Sequence, residues 1–382
     1  MKKLGFGLMR LPKLDKDDES SVEYEQVDKM AETFMKNGFN YFDTAYIYHQ
    51  GRSEVAFKHA VTDHYPRESF IIADKMPLPF INKDEQLENI FQDQLERLGV
   101  DYIDYYLMHN VCESSEDGYL NGKTYEFLKQ KKEEGYIKHL GFSAHDSAEY
   151  VEEFIKQNPG MEFIQLQINY LDWENDVLQA RKCYEVAQKY NLPIVVMEPL
   201  KGGFLVNVPK EAEKLMCEYN GQPPIQWALR YVAGLPGVFM VLSGMSSYDQ
   251  LKENIEIFDD IKPLNDEEHE IIKKVVEIIN NNIAVECTGC NYCLSSCPEN
   301  IVIPELFQIY NHQMIQNTDN FTAYGNAYIN YAKSGEHGLA GDCIKCQACI
   351  PKCPQHINIP EELVKVRDTF EIPLYGFNQQ EE

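Results

Sequence analysis

The chain has 382 residues, 44% hydrophobic and 25% charged, and is long enough to bury a full core without disulfides. Its 35 basic and 61 acidic side chains leave a formal charge of −26, which disfavours general binding to nucleic-acid phosphates or to anionic lipid. No apolar run approaches the roughly 18 residues of a membrane helix, and Met1-Lys2-Lys3-Leu4-Gly5 does not open a secretory signal, so a soluble, cytoplasmic protein is expected.

Over the first ~260 residues, short apolar runs alternate with helix-like stretches. The runs are 4–9, 40–45, 70–75, 103–109, 139–145, 163–169, 193–199 and 238–244. Between them lie segments such as the one in which Leu87, Ile90, Phe91, Leu95 and Leu98 recur at helical spacing. Eight strand–helix units in ~250 residues predict an α/β fold, a (β/α)8 TIM barrel over 1–262. A doubly wound open sheet is the alternative, weakened because no G-x-G-x-x-G follows the first run. A linker helix is expected within 263–282, capped by Asn265 or Asp266, with Ile271, Ile272, Val275, Val276 and Ile279 on one face.

The next segment, 283–370, is internally duplicated. Cys287-x2-Cys290-x2-Cys293-x3-Cys297-Pro recurs 56 residues later as Cys343-x2-Cys346-x2-Cys349-x3-Cys353-Pro. The repeat continues beyond the cysteines, since Glu-Asn-Ile-Val-Ile-Pro-Glu305 matches Gln-His-Ile-Asn-Ile-Pro-Glu361. Between the two runs, residues 304–334 read as helix, opened by Pro304 and holding Phe307, Tyr310, Met314 and Tyr324. A tail is expected over 371–382, with its end, Gln379-Gln-Glu-Glu382, solvated and frayed.

Chemistry is expected where barrel strands end. Asp43 and Tyr48 follow the second run, Lys75 ends the third and His109 ends the fourth. Together they form a proton-transfer set. Lys75 is expected to lower the tyrosine pKa, Asp43 to pair with the lysine, and His109 to orient a carbonyl. These residues, in the stretches Phe42-Asp43-Thr44-Ala45 and Tyr105-Tyr106-Leu107-Met108-His109, resemble the catalytic tetrad of the aldo/keto reductase family. The resemblance implies hydride transfer from NADP(H) or NAD(H) to a small carbonyl substrate, or from the corresponding alcohol, with Tyr48 as general acid.

Cofactor-holding positions follow from the same resemblance. Ser143 and Gln165 stand where the family holds the nicotinamide carboxamide, with Ala144 and His145 where an Asn often follows. Met197 replaces a common stacking Tyr. Pro199, Leu200 and Gly203 lie in the phosphate-contacting loop. Gly244, Ser246, Gln250 and Asn254 stand at the adenosine site, and Gln250 lacks the basic character of many NADPH users, leaving Lys252 or backbone groups. Many relatives also plug the barrel floor with an N-terminal hairpin. Here only three residues precede Leu4, and the linker helix is expected to cover the floor.

The two cysteine runs have the spacing of [4Fe–4S] ligands, and zinc sites usually pair C-x-x-C units over longer gaps. Residues 283–370 resemble a dicluster ferredoxin-like domain with helices inserted between its motifs. The resemblance implies two [4Fe–4S] clusters bound by Cys287, Cys290, Cys293, Cys297, Cys343, Cys346, Cys349 and Cys353. In that family the fourth cysteine of each run ligates the other cluster. Clusters pass single electrons and nicotinamide passes hydride, so the clusters are expected to serve structure, redox sensing or electron relay, and a flavin or a redox partner protein linking the two modes is an alternative reading. A cofactor-binding sensor with little catalysis is another, disfavoured by the complete tetrad.

Overall fold

The computed structural model describes residues 2–15, 18–175, 178–280, 284–316, 328 and 337–378. It divides into two compact units. The first comprises Met1–Leu200 and Ile225–Asn265, the second Lys201–Pro224 and Asp266–Glu382.

The first unit is a closed, all-parallel barrel of eight strands in sequence order. They are β1 (Leu4–Gly7), β2 (Tyr41–Asp43), β3 (Ile71–Met76), β4 (Ile103–Val111), β5 (Ile137–Ala144), β6 (Phe163–Gln167), β7 (Ile194–Met197) and β8 (Val238–Gly244). Closure comes from β1 pairing with both β2 and β8. Each expected run holds a strand. Buried on both faces, such strands read as continuous apolar stretches.

The first three surrounding α-helices are α1 (Tyr24–Lys36), α2 (Arg52–Phe57) and α3 (Glu85–Leu98). On α3, Leu87, Phe91, Leu95 and Leu98 face the barrel, and the helix stops at Gly99 in the left-handed region, φ 67°. Ser147 and Ser247 cap the helices after β5 and β8, Ala148–Gln157 and Tyr248–Asp259, each accepting a backbone N–H three residues on.

The floor of the barrel is filled from within. Tyr105 stacks on His139 and Phe239 and meets Phe163 and Tyr41, with ring centroids 4.9–5.7 Å apart. These residues lie toward the N-terminal ends of their strands, where large aromatics fill the barrel interior.

In the second unit, helices Lys210–Asn220 and Asp266–Asn280 pack together, with Tyr219 donating to Glu267 and Asn220 to Glu268. The helix expected between the cysteine runs is Ile303–Gln316, and Tyr324 lies outside the described residues. The helix after the second run, Ile359–Asn378, passes the expected limit at 370. Glu371 explains why the chain does not fray there: it is buried and accepts hydrogen bonds from Tyr328 and from the Gly341 backbone, next to the second cysteine run. The tail residues 379–382 lie outside the described residues. Among the described residues no helix is long and apolar enough to cross a membrane.

Candidate active site and cluster sites

Local backbone geometry brings the tetrad together. After β2 the chain turns through a short 3-10 segment, Tyr48–Gly51, in which His49 and Gln50 take φ of 50° and 54°. This strained turn is pinned on both sides. His49 Nε2 accepts the Leu11 N–H at 3.1 Å while its Nδ1 meets the Glu19 carbonyl at 2.9 Å, so the proton sits on Nδ1. Ser53 Oγ donates to the Leu8 carbonyl and shares a hydrogen bond with Thr44. The turn carrying Tyr48 is thereby tied to the loop after β1.

Asp43 closes β2, and Lys75 stands one residue before the end of β3. Lys75 Nζ donates to Asp43 Oδ1 at 2.6 Å and to the Thr44 carbonyl. It lies 5.0 Å from the Tyr48 ring centroid. The His109 ring meets Tyr48 edge-on, with centroids 5.9 Å apart at 85°. A bulge in β4 between Met108 and Val111 takes in His109, with Asn110 at φ 63° and its N–H held by Ser143 Oγ at 2.9 Å. Bulges of this kind are common beside active sites, where they re-aim a side chain.

The electrostatics differ from the expectation in one respect. Tyr48 is pushed well above the ordinary phenol range, first by burial and then by the charges of Asp43, Asp74 and Glu198. Burial, with these carboxylates adding to it, leaves the phenol high where Lys75 was expected to lower it. Burial, with Lys75 and His145 nearby, holds His109 far below the usual imidazole range, so it is neutral. His145 is pulled down to about 4, by burial and then by Lys75.

Ser143 and Gln165 face each other as register neighbours on β5 and β6. Gln165 Oε1 is buried without a hydrogen-bond partner, the kind of vacancy a carboxamide N–H would fill. Beyond β8, Ser246 donates its backbone N–H to Gln250 Oε1 and its hydroxyl to the Arg10 carbonyl. Asn254 donates to the Gln250 carbonyl and keeps a buried, unpartnered Oδ1. Gly244 pairs with Gly7 and leaves a Cβ no more than 3.2 Å from Arg10. Lys252 pairs with Asp249 at 2.9 Å. Met197 is half-buried and Pro199 buried. Glu198, between them, takes φ 54°, and its carboxylate lies 3.6 Å from Arg10. Leu200 closes this stretch of the first unit, while Gly203, at φ 95°, belongs to the second.

Sequence reasoning missed Arg10 and the acids Asp74 and Glu54. Asp74 had a visible signal, a carboxylate inside an otherwise apolar strand and directly before Lys75. Glu54 had none, because its partners come from other elements.

In the second unit the duplicated sequence folds as duplicated backbone. Gly289 and Lys345 (φ 66° and 57°), Asn291 and Gln347 (67° and 63°), and Asn300 and His356 (50° and 51°) repeat the same left-handed positions. A three-residue 3-10 turn follows the third cysteine of each run, Leu294–Ser296 and Ile350–Lys352. The cysteines group across the runs. Cys297, Cys343, Cys346 and Cys349 line one pocket together with Ile301, Ile344 and Pro360. On the other side Cys287 and Cys293 face Cys290 and Cys353. Burial raises Cys287 to about 12 and Cys349 to about 11, so binding iron there must displace protons. Among the described residues no three such side chains converge on a single-ion site. Four thiols around a cavity instead fit a cubane, whose ligands are spread over a bulky body.

Comparison with known proteins agrees with both halves. The profile of the aldo/keto reductase family matches residues 3–277, and that of a 4Fe-4S dicluster domain matches residues 286–359. The NADH-specific methylglyoxal reductase of Escherichia coli is 26% identical over 265 residues, covering 57% of this chain and 78% of that protein. The uncharacterized oxidoreductase YqkF of Bacillus subtilis is 24% identical over 251 residues, with the same coverage of both chains. Among solved structures, the holo form of aldo-keto reductase AKR11C1 from Bacillus halodurans superposes with a TM-score of 0.58 at 26% identity, covering 72% of this chain and 91% of that one. A Klebsiella pneumoniae aldo/keto reductase in complex with NADP and acetate gives 0.59 at 20% identity, again covering 72% and 91%. The barrel, with its reactive groups at the strand ends, and the matched profile together place this chain in the aldo/keto reductase family, as an oxidoreductase whose barrel is followed by a 4Fe-4S dicluster domain.

Proposed function

We propose that the barrel reduces a small carbonyl compound, or oxidises the corresponding alcohol, with NAD(P)H as hydride donor. The observation that carries this reading is the convergence of Lys75, Tyr48 and His109 on one strand-end site, with the lysine anchored by Asp43.

When bound, the nicotinamide supplies hydride to the carbonyl carbon. Ser143 and the unpartnered oxygen of Gln165 are the groups that would hold its carboxamide, and Asn254 offers a second vacant acceptor toward the nucleotide end. Tyr48 gives its proton to the carbonyl oxygen, so that hydride and proton together yield the alcohol. The high proton affinity of the buried phenol keeps that proton in place until the oxygen develops charge. Lys75, fixed by Asp43 and the Thr44 carbonyl, stabilises the phenolate that remains. Neutral His109 directs a hydrogen bond to the carbonyl and fixes its orientation.

Cys287, Cys290, Cys293 and Cys353 would hold one [4Fe–4S] cluster, and Cys343, Cys346, Cys349 and Cys297 the other. Such clusters supply one-electron transfer. The test is anaerobic purification followed by a visible spectrum and by assays of NADPH and NADH oxidation against aldehydes and ketones. Turnover without flavin absorption is expected. Resolved flavin bands with turnover only on added flavin would replace this reading.

A further inference from the structure

The wall behind Lys75 carries an acid whose partner is another acid. Glu54 on α2 and Asp74 beside Lys75 are both fully buried. Asp74 is well used, since Oδ1 accepts the Lys75 backbone N–H at 2.8 Å and Oδ2 accepts Gln94 Nε2 at 2.8 Å. Glu54 is only half used. Its Oε2 faces Arg97 Nη1 at 3.1 Å, while its buried Oε1 meets no N–H or O–H donor among the described residues. The Glu54 carboxyl instead lies in hydrogen-bonding reach of the Asp74 carboxyl.

Two ionised carboxylates in that contact would repel, and neither has a hydrogen to offer. One proton resolves both the repulsion and the orphaned oxygen. We propose that Glu54 and Asp74 share one proton and act as a positioning pair for the tetrad: protonated Glu54 donates to Asp74, whose single negative charge fixes the Lys75 backbone and faces Tyr48. Only the kinetic consequence rests on the carbonyl-reductase reading; the shared proton does not.

The surrounding groups are consistent with this count. From α3 come Gln94 and Arg97, and Arg97 also binds Asp93, which is partly exposed, at 2.5 Å. Tyr106 on β4 donates to Gln94 Oε1, turning the Gln94 amide N–H toward Asp74. From β2 comes Asp43, paired with Lys75, and from the loop after it Tyr46, whose ring lies against Arg97 and whose hydroxyl donates to Asp93. With Glu54 neutral, the buried charges of Asp43 and Asp74 are matched by Lys75 and Arg97. Burial raises both members of the pair, Glu54 further, which places the proton on Glu54. Asp74 is also among the charges that hold the Tyr48 proton.

Infrared spectroscopy of the full-length holoprotein at neutral pH tests the shared proton. The wild type should show the carbonyl stretch of a buried, protonated carboxyl, and Glu54→Gln, which is isosteric and still a donor, should lose it. The kinetic arm is the pH profile of carbonyl reduction. Asp74→Asn removes a negative charge beside Tyr48, so the alkaline limb of kcat should move down by about one pH unit, with little change in KM. Absence of the band in the wild type, or its persistence in Glu54→Gln, overturns the shared proton. An unmoved limb in folded Asp74→Asn overturns the positioning role. If Asp74→Asn does not fold, Asp74→Ser, which also removes the charge, takes its place in the pH profile. If no carbonyl is turned over, the infrared result still stands apart from the failed enzymatic reading.

Discussion

Lys75 Nζ lies 2.6 Å from Asp43 Oδ1, with both side chains all but sealed from water. A buried ion pair is weak evidence of net stability, but removing one partner strands the other charge. Asp43 already has an unpartnered Oδ2 and is raised by burial, so it depends on the lysine to stay ionised. Lys75→Met should therefore destabilise the barrel by about 3–5 kcal/mol. Adding Asp43→Asn should recover part of that loss. Denaturant unfolding of the single and double variants checks both statements, and additive losses would show that the two residues are not coupled.

Tyr48→Phe keeps the ring against His109 and Lys75 and removes only the proton. Carbonyl reduction should fall by ~10²-fold or more, the usual scale for a positioned general acid. Nucleotide affinity, followed by fluorescence titration, should be unchanged, because the hydroxyl is not among the groups proposed to hold the cofactor. Near-normal turnover in this variant would remove the proposed mechanism while leaving the fold untouched.

The unpartnered Oε1 of Gln165 makes a separate prediction. If a carboxamide N–H satisfies it, Gln165→Leu should weaken NAD(P)H binding by roughly 10-fold, about one hydrogen bond. The apo barrel should be no less stable, since nothing in the described structure uses that oxygen. Unchanged affinity would mean that the nicotinamide sits elsewhere.

These predictions draw unequally on the sequence. The meeting of Asp43, Tyr48, Lys75 and His109 was legible because each follows or ends an apolar run, and strand ends in a parallel barrel all open on one face. The aromatic floor was not, because Tyr105, His139 and Phe239 come from three separate strands and show no joint pattern. The extent of the last helix was missed for a related reason. Pro373 and Gly376 suggest an end near 370, yet the helix continues to Asn378, and Glu371 is held by groups more than 25 residues away. Local signals mark where elements begin, and long-range hydrogen bonds decide how far they persist. Glu54 belongs to the same class.

Acid sensitivity follows from the two histidines of the mouth. His109 and His145 both have folded values below the ordinary 6.5, mainly through burial. The unfolded chain then binds more protons than the folded one below pH 6.5, so their contribution to stability is full above that value and is lost on acidification. For His145 the loss extends down to about 4. Melting temperature should fall across this window, and His145→Gln should flatten the fall. A variant curve parallel to wild type would exclude His145 as a source.

The cysteine grouping makes the sharpest test of the second unit. Anaerobic protein should carry about eight irons per chain, and Cys297→Ala should reduce this to about four. Cys297 shares its cavity with Cys343, Cys346 and Cys349, whereas Cys287 and Cys293 face Cys353. If ligation is crossed in this way, adding Cys346→Ala to Cys297→Ala removes no further iron, because both substitutions damage one cluster. Adding Cys290→Ala instead should remove the rest. Ligation within each run predicts the opposite pair of outcomes, so iron analysis of the two double variants separates the arrangements. A zinc content in place of iron would set aside both.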